Sequence, residues 1–223
     1  MNVHHEHPSI VPHPRRHGWK VNTGATIIWQ DAPMPGDSSM TYRRVGRILY
    51  EIGMVSGDGM RRVVDEFADV ADDELSHYGA ACALGSFGVA VSIHADDIDS
   101  IYEDYAHLLA TAAQVAGDRV QVTNVRIVEG EGDFEDGRCD RLEFERDGAP
   151  VSIDAEHFAD DYYDPIAASV AIRHTAADDD PRSWHNVRFD REPHRVYDDI
   201  MILATPDQAA ALQEHLGFQL LPA

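Results

Sequence analysis

Apolar residues recur along this chain with two periods, and the alternation between them predicts the fold. Over residues 41–55, Val45, Ile48, Leu49 and Ile52 return every three or four positions with Arg43, Arg44 and Arg47 opposite them, which is the stripe of an amphipathic helix. A second helix follows in the register Met60, Val63, Val64, Phe67 and Val70, with Ser56 to Gly59 expected as the turn between the two. The small-residue run 78–85 then leads into 87–93, which has strand composition. The longest stripe is Ile98, Ile101, Tyr102, Tyr105, Leu108, Leu109, Ala112 and Val115, predicting a helix that begins near Asp96 and stops at Gly117. Asp96, Asp97 and Asp99 at its start complement the helix dipole.

Beyond Gly117 the period drops to two. Val120, Val122, Val125, Ile127 and Val128, then Leu142 with Phe144, then Val151 with Ile153 predict three strands, and Asp147-Gly148 between the last two is a hairpin signal. A three-stranded antiparallel meander is expected here. Helical spacing returns over 161–176 through Tyr162, Ile166, Val170 and Ile172, with Pro165 in its first turn. Strands are predicted over 184–189 and 199–204. A final helix opens on Thr205, Pro206 and Gln208, a capping-box pattern, and ends at Gly217. The expectation is an α+β fold: N-terminal helices, a mainly antiparallel sheet with the meander, and packed helices. Residues 40–223 read as a single domain. Residues 1–39, with five His and five Pro, read as a flexible extension in which 25–29 supplies at most one short strand.

Charge alters this picture more than length does. The 223 residues carry 18 Lys and Arg against 40 Asp and Glu, a formal charge of −22. Such a field repels phosphate backbones and anionic lipid, so neither nucleic acid nor a membrane is expected as a ligand, and a basic protein is. A GC-rich or salt-adapted genome would write the same bias: Lys20 is the sole lysine among the 18 basic residues. The longest uncharged stretch, 78–93, is too short for a bilayer and is broken by Gly79, Gly85 and Gly88. Cys82 and Cys139 lie in no CxxC spacing, which suits free thiols and a cytoplasmic location.

Signatures of known chemistry are absent. The chain has no GxGxxG, phosphate-binding loop, HExxH or GxSxG. Metal-type ligands do fall close together at His4, His5, Glu6 and His7, at Glu156 and His157 with Asp160 and Asp161, and at His185 with His194. The acidic loop 129–137 lacks the order of a calcium-binding EF-hand and reads as a solvated hairpin tip, as does the run Asp178, Asp179 and Asp180. Cys82 sits among Gly, Ala and Leu, the setting of a packed thiol. No metal or cofactor is expected on these grounds.

The strings RLEFERDGAPVSIDA (141–155), DDYYDP (160–165) and YDDIMILATPDQAAAL (197–212) resemble small bacterial immunity proteins that partner secreted toxins. That resemblance implies a non-catalytic binder. The expected contacts are Glu129, Glu131, Asp133, Glu135, Asp136, Asp160, Asp161, Tyr162 and Tyr163, where carboxylates speed encounter with a basic partner and aromatic rings slow escape. The alternative is a metal-dependent or His/Asp-using enzyme built on His157, His94 or His185. The two differ in an observable way: an enzyme needs a concave site where His and Asp converge, a binder a broad acidic or aromatic surface.

Overall fold

The computed structural model describes residues 39–94, 98–134, 137–191 and 198–222. Within them lie α1 (Tyr42–Glu51), α2 (Gly57–Glu66), α3 (His77–Ser86), β1 (Ala90–His94), α4 (Ile101–Val115), β2 (Val122–Val128), β3 (Arg138–Arg146) and β4 (Ala149–His157). They are followed by α5 (Pro165–Arg173), β5 (Ser183–Arg188), β6 (Asp198–Ala204), α6 (Pro206–Leu216) and β7 (Gln219–Pro222). The strands form two antiparallel sheets, one of four strands in the order β1-β6-β5-β7 and one of three in the order β2-β3-β4. The fold is α+β with the expected three-stranded meander. The short strand expected over 25–29, with the rest of 1–38, lies outside the described residues.

Strand β6 divides the interior. Its continuous apolar run is buried on both faces, as a central strand covered by helices requires. Ile200, Ile202 and Ala204 face a core built with α1, α2, α3 and α6, while Met201 and Leu203 face a second core built with α4, α5 and the inward side of the meander. Helices α4 and α5 therefore lie between the two sheets, and one end of this middle layer carries the candidate site.

Local chemistry sets the element ends. Thr205 and Gln208 make the full capping box of α6, and Gly217 closes that helix with a left-handed φ of 71°. Asp147 and Gly148 both adopt positive φ, 52° and 78°, the backbone of a two-residue hairpin turn. In β2 the apolar period breaks between Val122 and Val125 because Asn124, at φ 55°, makes an irregularity that shifts the register between Thr123 and Arg126.

Several expectations are corrected. Ser56 is not part of a free turn but the N-cap of α2, so Gly57 to Gly59 form its first turn. Helix α2 ends at Glu66 and leaves Val70 exposed beyond it. The strand expected over 87–93 starts only at Ala90, because the small-residue run before it is helical to Ser86 with Phe87 as its C-cap, packing Ala80, Ala81, Ala83 and Leu84. Helix α4 starts at Ile101 with Ser100 as N-cap, five residues later than expected; Asp96 and Asp97 lie outside the described residues. Asp161 to Tyr163 precede α5 instead of opening it, because Asp164 caps the helix and Pro165 takes its first position. Strand β7, four residues long, is too short for the apolar pattern to predict.

Candidate functional site

The site is built where β3, β4 and the first turn of α4 meet. On β3 the inward positions are Asp140, Leu142 and Phe144, and on β4 they end with Ala155 and His157. Register sets Asp140 opposite Ala155 and Arg138 opposite His157, so the two inward polar residues are diagonal neighbours. His157 Nδ1 lies 2.8 Å from Asp140 Oδ2. A carboxylate only accepts, so Nδ1 donates and Nε2 is left facing the Tyr105 hydroxyl at 3.2 Å. That hydroxyl is also 3.4 Å from the Asp164 carbonyl oxygen.

Asp140 accepts further bonds. Arg138 donates through Nε at 2.8 Å and through Nη2 at 2.9 Å, and the Gly130 amide donates at 2.8 Å. Burial by itself would raise the Asp140 pKa, but the bonds from Arg138, Gly130 and His157 outweigh it and hold the carboxyl below its ordinary range. Tyr105 is driven the other way, chiefly by burial and then by nearby carboxylates, so its phenol stays protonated and able to donate.

The order Tyr105, His157, Asp140 has the connectivity of a nucleophile, a base and its orienting acid. All three residues are fully buried, however, and every polar atom of the chain is spent on another protein group. No substrate atom reaches it. What the chain does is mechanical: it pins the tip between β2 and β3 onto α4. Tyr102 of α4 donates to Glu129, Arg138 Nη2 donates to Tyr102 at 3.4 Å, and the Phe134 ring lies over the Arg138 guanidinium at 4.3 Å.

The surface above this chain holds most of the expected contact residues. Glu129, Glu131 and Asp133 are exposed on the tip, and Asp160 and Asp161 are exposed after β4. The two segments, far apart in sequence, are both tied to the N-terminal end of α4: Glu129 bonds Tyr102, while the Asp160 and Asp161 carbonyls accept from the Ile101 and Ile98 amides at 3.0 and 3.2 Å. Asp99, Glu103 and Glu156 are exposed among them. Tyr162 is half-buried. Tyr163 packs against Tyr105 inside the second core and presents no ring to a partner. Glu135 and Asp136 lie outside the described residues.

Three apolar side chains of this surface are exposed although the sequence pattern does not single them out as surface residues. Tyr102 is 42% exposed, Phe158 54% and Ile166 74%. Periodicity puts Tyr102 and Ile166 on apolar helical stripes, and the structure turns both outward. Phe158 comes directly after β4, next to the inward His157, and its ring stands outward with the Glu156 carboxylate near Gly137.

The other candidates do not converge. Glu156 points out and His157 in, so Glu156, His157, Asp160 and Asp161 form no ligand set. His94 pairs with Asp198 at 3.0 Å and stands opposite it in register, while His185 stands opposite Ile202 and bonds Ser183 at 3.1 Å. His157 belongs to the other sheet. His4, His5, His7 and His194 lie outside the described residues, and within those residues no group of three or more His, Cys, Asp or Glu is placed to hold a metal ion. Cys82 is half-buried, and burial pushes its thiol upward, which opposes thiolate formation. A depression of about 100 Å³ borders Gly53, Gly88, Arg182 and Gln208, and a wider one of about 620 Å³ lies on the meander at Arg126, Glu143, Glu145 and Ser152; neither contains a histidine.

Among the described residues no helix is long and apolar enough to cross a membrane. Compared with known proteins, the chain matches no family model, no curated protein and no solved structure.

Proposed function

We propose that this protein acts by binding a basic protein, as an immunity protein covers a toxin, and that the surface around the first turn of α4 is its contact face. One observation carries the reading: segments 129–133 and 160–161, separated by almost thirty residues of chain, are both tied to the N-terminal end of α4 with their carboxylates exposed. Arg138, the guanidinium between them, is spent on Asp140 and offers the surface little positive charge. Such a field accelerates encounter with a cationic patch, and the effect fades as salt screens it.

Carboxylates are not confined to this face. Asp65, Glu66, Asp69, Asp72, Asp73 and Glu74 are exposed along the end of α2 and the loop after it, which supplies an internal control. The test is affinity capture from the native cell with three baits: the wild type, a variant reversing Glu129, Glu131, Asp160 and Asp161 to Lys, and one reversing Asp65, Glu66, Asp69 and Asp73. A basic protein should be retained at low salt by the wild type and the second variant and lost from the first. Equal retention by all three, or none by any, removes the reading.

A further inference from the structure

From the apolar side chains set into this face, and resting on the reading above, we infer that its ligand is a cationic segment that also carries apolar side chains, seated on Phe158 and Ile166, and not a purely basic stretch. Among the described residues five large apolar side chains are exposed: Tyr50, Val70, Tyr102, Phe158 and Ile166. Three of the five stand around the open end of the β3–β4 pair, away from the Asp147–Gly148 turn, where Arg138 is paired with His157. The Phe158 ring lies over Gly137, where an added Cβ would stand 3.0 Å from both that ring and the Glu156 carboxylate. Tyr102 meets Arg138, the next residue along. Ile166 is held beside β4 because the Asp164 carboxylate accepts from the Ile166 amide at 2.8 Å and from the Glu156 amide at 3.2 Å. Tyr50 and Val70 belong to the opposite core's helices, α1 and the exit of α2.

Neither Phe158 nor Ile166 is needed for the core, and both lean on a rigid base. The buried chain from Arg138 to Tyr105 and the Asp164 cap fix the backbone beneath them, so little order has to be gained on binding. Around them stand the exposed carboxylates of Glu129, Glu156, Asp160 and Asp161. An apolar centre within a charged rim is the layout in which desolvated anchors supply residence time and the rim supplies steering. The rim's sign fixes the occupant as cationic, and the centre requires that some of its side chains be apolar.

The experiment uses the full chain and two helical peptides of equal length and equal arginine content, one with Leu and one with Ser on the face between the arginines. Titration should show the Leu peptide bound at least about tenfold more tightly, since one buried aliphatic side chain is worth that much. A variant carrying Phe158→Ser and Ile166→Ser should bind both peptides as the wild type binds the Ser peptide. A Tyr50→Ser, Val70→Ser variant should keep the wild-type preference. Unchanged preference in the first variant overturns this inference and leaves the acidic-face reading standing if the Ser peptide still binds in a salt-dependent way. Failure of both peptides to bind at low salt overturns both.

Discussion

At the scale of single residues, Asp140 is the position on which most depends. It is fully buried and accepts from Arg138, Gly130 and His157, so replacing it strands a guanidinium and an imidazole. Asp140→Ala is expected to cost ~3–5 kcal/mol, the range for breaking a buried ion pair by removing one partner. Asp140→Asn, which keeps the shape and part of the bonding, should cost less. The pH dependence follows from the direction of the shift. The folded carboxyl titrates below its unfolded value of about 3.9, so its contribution is fully present above that value and is lost as pH falls through the lower folded pKa. Urea unfolding of wild type and Asp140→Asn should therefore differ at neutral pH, and the difference should shrink as pH falls below about 3.9. A gap that stays constant over that range would show that Asp140 is not held ionised. The sequence contained the signal for this residue pair: strand alternation that makes Leu142 and Phe144 inward also makes Asp140 inward, and the alternation of Val151, Ile153 and Ala155 runs on to His157. What it did not contain was the register that makes the two neighbours, nor Tyr105, which arrives from another element.

At the scale of elements, the run Asp178, Asp179 and Asp180 behaves differently from the solvated loop its composition suggested. Each carboxylate takes an arginine from a different place: Asp178 from Arg146 at the end of β3, Asp179 from Arg119 after α4, and Asp180 from Arg182 before β5. Arg146 also donates to the His174 and Ala176 carbonyls, and Arg182 to that of Ala116, so the loop ties the ends of α4, α5 and β3 together. A charge run cannot reveal this, because two of its partners, Arg146 and Arg119, sit far away in sequence and meet it only once the elements have packed. The three pairs are unequal. The Asp180 side chain is 2% exposed and Asp179 78%. Asp180→Ala should cost ~2–3 kcal/mol, as charged bonds shielded from water do, whereas Asp179→Ala should cost at most ~1 kcal/mol. Urea midpoints of the two variants test the ranking, and equal losses would mean that burial does not decide it. Elements bounded by their own caps, such as α6, were legible to the residue; α4 and α5 were legible as helices but not in their starts, which Ser100 and Asp164 set through side-chain bonds that compete with earlier acidic positions.

For the whole molecule, periodicity was enough to yield an α+β arrangement with its meander, because one-sided strands and striped helices declare which face they bury. It could not show that β6 separates two cores, or that exposed Tyr102 and Ile166 would interrupt helical stripes. Those outcomes depend on which layers cover which faces. Net charge belongs to this scale too, and it yields a prediction with two opposite signs. At −22 the folded chain repels itself, and unfolding relieves part of that repulsion by moving the charges apart. Raising ionic strength from ~0.01 M to ~0.15 M shortens the screening length from about 30 Å to about 8 Å, so the melting temperature should rise. The same change should slow association with a basic ligand, since steering across the acidic face is screened along with the self-repulsion. Thermal melts and binding kinetics in one salt series measure both. If salt stabilises the fold and leaves the association rate with the arginine peptides unchanged, the surplus carboxylates are a property of composition, and the face around α4 has no electrostatic role in recognition.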